Sequence, residues 1–200
     1  MYAGIAFGKH AGKTDQEGQS MGSRCTLRRR AIAVDATVGN GYDTLFLAQA
    51  VGPTGQVIGF DIQKTALNNA SELLRFAGTA NRVRLILSCH SALATYMPRN
   101  RPISGAMFNL GFLPRGDRRI ATRPETTLPA LEAIFRVLDS AGRMSILAYR
   151  AHKGGEEEYQ AVRQYLRDRI PSGWEAVEVT GEGAPESAPR LFLLGGALDR

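Results

Sequence analysis

From residue 31 onward, short apolar runs alternate with segments of helical periodicity, and this alternation constrains the fold more than any other feature of the sequence. The predicted strands cover residues 31–35, 56–61, 83–87, 103–110, 145–149, 174–180 and 191–194. The predicted helices cover residues 44–51, 64–76, 126–138 and 156–169. Such alternation is typical of a doubly wound, Rossmann-like α/β fold. We therefore expect a mainly parallel seven-stranded sheet with helices on both faces and an antiparallel pair at its carboxyl-terminal edge.

The first thirty residues differ from the rest of the chain. They are rich in glycine and end in the basic cluster Arg24, Arg28, Arg29 and Arg30, without helical or alternating periodicity. We interpret residues 1–30 as a flexible leader. Because 200 residues with 44% apolar content suit one globular core, we expect residues 31–200 to form a single domain.

Cysteine content and hydropathy indicate the compartment. The two cysteines, Cys25 and Cys89, are far apart and form no CxxC pair, which argues against a disulfide framework and a metal site. No apolar run approaches the roughly 20 residues that span a bilayer, and residues 1–30 lack the apolar stretch of a secretory signal. We therefore expect a cytoplasmic protein without a membrane partner. A homodimer is compatible with the sequence, which does not reveal the oligomeric state.

The chain is basic, with a formal charge of +6 and an isoelectric point near 9.7. This charge attracts polyanions, so RNA is a permitted partner. Arg115, Arg118 and Arg119, which closely follow the fourth predicted strand, favour RNA further. A solvated basic face is the alternative interpretation.

Ligands of doubly wound sheets bind at the carboxyl ends of the strands, so the segment after the first strand is informative. There Asp35 begins the sequence DATVGNGYDT, in which Gly39 and Gly41 flank Asn40 and allow a tight turn close to a ligand. The third glycine of a dinucleotide fingerprint is missing: Asp43, a candidate cap for the first helix, and Thr44 stand in its place. Because the Asp43 carboxylate would repel a pyrophosphate, a cationic or zwitterionic ligand fits better than a dinucleotide.

The second predicted strand ends at Asp61, which is followed two residues later by Gln63. An acid at this position can accept hydrogen bonds from both hydroxyls of a ribose. S-adenosylmethionine combines a ribose with an amino acid tail and has no phosphates, so we expect it as the cofactor. The alternative is that the two glycines form only a tight turn and that Asp61 caps the next helix.

Further candidates follow the third, fourth and fifth strands. His90 could contact an adenine or cap a short helix. Asn109 begins the sequence NLGFLP, where the asparagine can accept a hydrogen bond from an amine and the aromatic residue and proline can form a wall for a planar base. A simple strand-ending turn is the alternative. Tyr149 and His152 lie at the same edge, and the acidic run at 156–158 is expected to complement the dipole of the last helix.

Four blocks of the sequence together resemble one family. They are DATVGNGYDTLFLA at 35–48, GFDIQ at 59–63, FNLGFLP at 108–114 and YRAH at 149–152. They are similar to the family long labelled ribosomal RNA methylases, the YtqB-like or MnmM-like group. Its members are associated with methylating the aminomethyl group of 5-aminomethyl-2-thiouridine at the tRNA wobble position. A glycine-rich leader stands where family members usually have an amphipathic helix, and the segment around His90 departs from the family pattern.

The resemblance implies a class I methyltransferase fold and a tRNA partner that binds through its anticodon region. It implies that S-adenosylmethionine is held by Gly39, Asn40, Gly41, Asp43 and Asp61; the predicted cofactor contacts also include Asp35, Thr44, Gln63, His90 and Asn109. It further implies that the acceptor faces Asn109, Tyr149 and His152.

Methyl transfer from a sulfonium is a direct displacement, so the protein chiefly aligns the reacting groups. Our hypothesis is that Asn109 orients the amine through its side-chain oxygen, while His152 or a water it holds receives the proton. The competing hypotheses are a methyltransferase for ribosomal RNA or a small basic metabolite, a nucleotide-binding oxidoreductase, and a catalytically silent RNA-binding relative. The missing GxGxxG spacing argues against the oxidoreductase, and the intact segment 109–114 argues against the silent relative.

Overall fold

The computed structural model of the protein describes residues 30–181 and 183–196. Its strands are β1 (Ile32–Asp35), β2 (Gln56–Asp61), β3 (Val83–Leu87), β4 (Ile103–Leu110), β5 (Leu138–Ala148), β6 (Trp174–Val179) and β7 (Arg190–Gly196). Its α-helices are α1 (Tyr42–Ala50), α2 (Lys64–Phe76), α3 (Leu93–Tyr96), α4 (Pro124–Phe135) and α5 (Gly155–Arg169). Apart from Arg30, the predicted leader, with Cys25 and its arginines, lies outside the described residues.

The seven strands form one sheet in the order β3-β2-β1-β4-β5-β7-β6. The first five strands in this order are parallel, whereas β7 runs antiparallel to both β5 and β6. The predicted doubly wound, mainly parallel sheet with an antiparallel carboxyl-terminal edge is thereby confirmed. The strand order reverses between β1 and β4, and such a switch point opens a crevice at the carboxyl ends of the strands.

The strand β1 lies at the centre of the sheet, and all four of its residues are buried. Side chains alternate between the two faces of a strand. Accordingly, Ile32 and Val34 pack into the larger hydrophobic core on one face, and Ala33 packs into the smaller core on the other. A short, continuously apolar strand is therefore what a sheet covered by helices on both faces requires.

Several predicted boundaries match the structure, and the differences have local causes. The predicted cap at Asp43 is wrong, because Gly41, with φ at +86°, is the N-cap and Asp43 lies in the first turn of α1. The helix α4 begins at Pro124, since proline suits the first turn of a helix. The strand β5 begins at Leu138, seven residues earlier than predicted, because its polar first half lacks an apolar pattern.

A 3₁₀ turn (His90–Ala92) and the four-residue helix α3, both too short to produce a periodic signal, follow β3. No helix within residues 30–181 and 183–196 combines the length and the apolar character that crossing a membrane requires. In the same part of the chain, histidine, cysteine and acidic side chains form no group of three or more suited to a metal ion.

Candidate active site at the switch point of the sheet

The carboxyl ends of β1, β2, β4 and β5 open onto a cleft of about 730 Å³, a volume in the range of small-molecule sites. Eight of the predicted site residues line it: Gly39, Asn40, Asp43, Asp61, Gln63, His90, Asn109 and Tyr149. Four others, Asp35, Gly41, Thr44 and His152, do not line it. The structure thus brings most of the predicted site together and gives the remaining residues supporting positions.

The carboxylate of Asp61 is fixed by two backbone amides. The N–H of Gly39 donates to Oδ2 at 2.9 Å, and the N–H of Gln63 donates to Oδ1 at 2.8 Å. A carboxylate oxygen can accept two hydrogen bonds, so each oxygen of Asp61 keeps one acceptor position. Two neighbouring hydroxyls, such as those of a ribose, match this arrangement.

The two glycines of the loop after β1 have different roles. Gly39 adopts φ of +52°, and its amide holds Asp61 beside the cleft. At Gly41 a Cβ would lie 2.7 Å from the Cα of Ala70 in α2. The expectation that both glycines let the backbone approach a ligand therefore fits Gly39, whereas Gly41 allows α1 and α2 to pack closely.

Asp35 supports this loop from behind the cleft. Its Oδ2 accepts the hydroxyl of Thr44 at 2.5 Å, and its Oδ1 accepts the N–H of Thr37 at 3.1 Å. Burial raises the pKa of Asp35 to about 7, against the hydrogen bond from Thr44 that lowers it, and the charge of Asp43 adds to the rise. Asp35 and Thr44 are therefore placed to position the loop rather than to contact a ligand.

Asn109 connects the two sides of the cleft. Its backbone N–H donates to the hydroxyl of Thr37 at 2.7 Å, and its side-chain Nδ2 donates to Oδ2 of Asp43. Thr37 is not among the predicted site residues. It is a polar residue two positions after the buried strand β1, and this position indicates a place at the site. The remaining side-chain atom of Asn109, Oδ1, is an acceptor in the cleft wall and suits an N–H group of a ligand.

His90 lies at the cleft, with its ring edge-on to Phe108 at 6.3 Å between centroids and its Nε2 3.4 Å from the hydroxyl oxygen of Thr127. Burial lowers the pKa of His90 to about 4, although a hydrogen bond with the backbone of Ala36 opposes this. The imidazole is therefore neutral at physiological pH. The N-cap of the 3₁₀ turn is Cys89, so His90 is not the cap that the alternative interpretation assigned to it.

The opposite wall of the cleft carries aromatic and basic groups. The guanidinium of Arg118 lies over the ring of Phe112 at 5.4 Å from its centroid. The ring of His152 is perpendicular to that of Phe112, with 5.5 Å between the two centroids. Nε2 of His152 is buried and has no hydrogen-bond partner within the described residues. His152 thus packs against the Phe112 ring and does not line the cleft, while Tyr149 lies on the wall itself and is 43% exposed.

One member of the acidic run at the start of α5 does more than complement the helix dipole. Glu158 is buried, and its carboxylate accepts the hydroxyls of Thr122 and Thr127 at 2.6 Å each. Burial raises the pKa of Glu158, and these two hydrogen bonds oppose the rise. No local sequence signal distinguishes Glu158, because the three consecutive glutamates differ only in their position on the helix.

The donors and acceptors around the first two strands fit the expected cofactor. Residues 35–44 contain no lysine or arginine to balance a phosphate, and Asp43 adds a negative charge to the cleft wall. Asp61 offers the paired acceptors that a ribose requires. A nucleoside with a cationic tail therefore fits this half of the cleft better than a dinucleotide does.

Comparison with known proteins agrees with this geometry. A family model described as "Putative rRNA methylase" matches residues 57–194. A chloroplastic tRNA (mnm(5)s(2)U34)-methyltransferase from Arabidopsis thaliana is 37% identical over 156 residues, which are 74% of this chain and 57% of that enzyme. The chain thus spans little more than half the length of this relative.

Two solved structures are also similar. An rRNA-methylase from Clostridium thermocellum, described as putative, is 34% identical, with a TM-score of 0.80 over 86% of this chain and 91% of that one. A putative methyltransferase from Streptococcus mutans, solved in complex with SAH, is 32% identical, with a TM-score of 0.75 over the same shares of the two chains. The fold is therefore that of class I methyltransferases, and the chain belongs to the rRNA methylase family of S-adenosylmethionine-dependent methyltransferases.

Proposed function

We propose that the protein methylates the nitrogen of the 5-aminomethyl group of 2-thiouridine at the wobble position of tRNA. The observation that carries the proposal is that Asn109 lines the same cleft as Phe112 and Tyr149, with Nδ2 bonded to Asp43 and Oδ1 as its remaining side-chain acceptor. The similarity to a chloroplastic tRNA (mnm(5)s(2)U34)-methyltransferase supports the choice of a modified uridine of tRNA as the substrate.

The cofactor side of the cleft lies around the ends of β1 and β2. Asp61 would accept the ribose hydroxyls, and the loop that contains Gly39 and Asn40 would border the amino acid tail. Asp43 would place negative charge near the cationic groups of the cofactor. When bound, S-adenosylmethionine supplies an electrophilic methyl group on a sulfonium.

The acceptor side lies around the ends of β4 and β5. Asn109 Oδ1 would accept an N–H of the aminomethyl group and so direct the nitrogen lone pair. Phe112 and Tyr149, both on the cleft wall, would border the thiouridine ring. Stacking of a base on an aromatic side chain contributes about 1–3 kcal/mol.

The acceptor amine must lose a proton before it can react. An alkyl amine with a pKa near that of lysine, about 10, pays roughly 4 kcal/mol for this at pH 7. Since His152 packs against Phe112 and does not line the cleft, we propose that His152 takes the proton through a bridging water rather than directly.

Basic side chains surround the acceptor side and would contact the phosphates of the anticodon region. Arg119 and Arg123 line the cleft, and Arg115 and Arg118 are exposed on the same loop. Binding through phosphates would weaken as salt rises, because counterions are released. A ribosomal RNA acceptor is the second candidate, since the family's description names that substrate.

The decisive experiment measures transfer of a labelled methyl group to three RNAs: tRNA with aminomethylated wobble uridines, the same tRNA without them, and ribosomal RNA. We expect label only in the aminomethylated tRNA. The variant Asn109→Ala should lose transfer, whereas the matched control Asn81→Ala, at an exposed position away from the cleft, should keep it. Label in ribosomal RNA alone would support the second candidate and contradict the first.

A further inference from the structure

We propose that Glu158 is a positioning residue that anchors the acceptor loop, residues 111–122, and thereby sets the affinity for the RNA acceptor. The proposal rests on the proposed function for the identity of the acceptor. The anchoring itself rests only on contacts within the chain. None of the sequence motifs assigned Glu158 a role in the site.

The acceptor loop is closed at its base by backbone contacts. The N–H of Thr122 donates to the carbonyl of Gly111 at 2.9 Å, and Phe112 forms an antiparallel bridge with Ala121. The residues between these contacts project from the base and include Arg115, Arg118 and Arg119. Whatever fixes the base therefore fixes the arginines and the Phe112 ring as well.

Glu158 holds this base from the side of α5. Its Oε2 accepts the hydroxyl of Thr122, and its Oε1 accepts the hydroxyl of Thr127 in α4, both at 2.6 Å. Glu158 is 1% exposed, so water cannot solvate its carboxylate. The two threonine hydroxyls replace the hydrogen bonds that water would donate. One buried carboxylate thus joins the acceptor loop, α4 and α5.

The contacts place the effect on the acceptor side. Thr122 lines the cleft, as do its neighbours Ala121 and Arg123, so a shift of Thr122 moves the wall itself. Asp61, which faces the ribose, is held by the amides of Gly39 and Gln63. The Glu158 group approaches the cofactor side at His90, whose Nε2 lies 3.4 Å from the hydroxyl oxygen of Thr127. Loss of the anchor should therefore weaken acceptor binding without an equal effect on the cofactor.

The neighbouring glutamates provide a matched comparison. Glu156 is exposed and forms an ion pair with Arg150, and Glu157 is exposed. The control variant is therefore Glu157→Ala, one residue away on the same first turn. Glu158→Gln is the conservative variant, because its amide can accept one threonine hydroxyl and donate to the other.

The test compares the KM for aminomethylated tRNA with the Kd for S-adenosylhomocysteine. Loss of hydrogen bonds to a buried charged group should raise the KM of Glu158→Ala by about tenfold or more. The Kd of Glu158→Ala for S-adenosylhomocysteine should change by less than about threefold. The KM of Glu158→Gln should lie closer to the wild-type value than that of Glu158→Ala, and both constants of Glu157→Ala should match the wild type. A merely structural role would instead raise both constants together or leave both unchanged.

Trypsin provides a readout independent of activity, since the acceptor loop contains three arginines. Cleavage after Arg115, Arg118 or Arg119 should be faster in Glu158→Ala than in Glu157→Ala, with both proteins folded by circular dichroism. If Glu158→Ala fails to fold, the same comparison is made with Glu158→Gln, where a smaller increase is expected. Unchanged cleavage would overturn the anchoring whatever the RNA substrate is, and faster cleavage with an unchanged KM would overturn the effect on the acceptor.

Discussion

The side-chain amide of Asn109 donates a hydrogen bond to the carboxylate of Asp43, which joins the end of β4 to the first turn of α1. The bond crosses the switch point of the sheet, between the cofactor side and the acceptor side of the cleft. Because it occupies Nδ2, it orients Oδ1 of Asn109 as the atom available to a ligand. The same side chain thus connects the two sides and offers an acceptor at their boundary.

Replacing Asn109 by alanine should therefore affect turnover more than cofactor binding. We expect kcat to fall by about 100-fold, the size of loss that misplacing a reacting group causes. Asp43 remains in the cleft wall, so the Kd for S-adenosylhomocysteine should change by less than about tenfold. Steady-state kinetics and calorimetry measure the two constants, with Asn81→Ala as control. A wild-type kcat in Asn109→Ala would contradict the assignment.

Replacing Asp61 by alanine should have the opposite pattern. The variant loses the acceptors for the ribose hydroxyls. It also leaves the amides of Gly39 and Gln63 without the carboxylate to which they donate in the wild type. Loss of a charge-assisted hydrogen bond of about 1.5–3 kcal/mol predicts a Kd raised by roughly 10- to 150-fold. The control is Asp168→Ala on the exposed face of α5. Equal affinity in wild type and Asp61→Ala would mean that Asp61 does not hold the ribose.

Asp35 should make the protein less stable as pH rises. Its folded pKa of about 7 lies above the unfolded value of 3.8, so its stabilising contribution is complete below pH 4 and is lost as pH rises through 7. The variant Asp35→Asn keeps an acceptor for Thr37 and lacks the titration. We expect its free energy of unfolding, relative to wild type, to increase between pH 4 and 8 by on the order of 4 kcal/mol. Urea unfolding of the cofactor-free proteins across this range tests it, and a constant difference would contradict it.

His90 should act in the opposite direction within an overlapping window. Its folded pKa of about 4 lies below the unfolded value of 6.5, so its contribution is complete above pH 6.5 and is lost as pH falls toward 4. In His90→Gln, which does not titrate, stability should fall less on acidification than in the wild type. The same urea series measures this, and parallel pH profiles of the two proteins would show that His90 is not buried in its neutral form.

The sequence predicted the architecture because the signals were local and periodic. The bounds of β2, α2, β3 and β4 follow from apolar runs that end at turn residues, and the structure reproduces them. The first half of β5 gave no such signal, since residues 139–142 hold polar and small side chains within a strand whose pairing partners are distant in sequence. A register irregularity between Ile103 and Gly105 accompanies this part of the strand.

Site residues at the ends of strands can be predicted from the sequence. Site residues whose position depends on how helices pack are harder to predict. Asp61 and Asn109 end or nearly end their strands, so position alone indicated them. Glu158 could not be distinguished from Glu156 and Glu157, because only the docking of α5 against the acceptor loop decides which of the three turns inward. The position of His152 after β5 likewise predicts that it lies at the cleft, whereas the structure packs it against Phe112 and outside the cleft lining.

The arginines of the acceptor loop should differ in their contribution to RNA binding. Arg119 forms an ion pair with Asp117 at 2.7 Å, whereas Arg118 is exposed, lies over Phe112 and has no ion pair among the described residues. Binding weakens as salt rises, so the logarithm of the association constant falls with the logarithm of the salt concentration. In Arg118→Gln this fall should be less steep by about 0.7–0.9, the value for one phosphate contact. Arg119→Gln should reduce this steepness less, since the guanidinium of Arg119 is already paired with Asp117.

Fluorescence anisotropy with labelled tRNA at several salt concentrations measures these slopes. Arg167→Gln, on the exposed face of α5 and away from the cleft, is the control and should leave the slope unchanged. Equal slopes in wild type and Arg118→Gln would mean that this arginine does not meet a phosphate. If the salt dependence falls more in Arg119→Gln than in Arg118→Gln, the ion pair with Asp117 opens when RNA binds. Arg119 must then contact a phosphate itself, because it is phosphate contacts that release counterions.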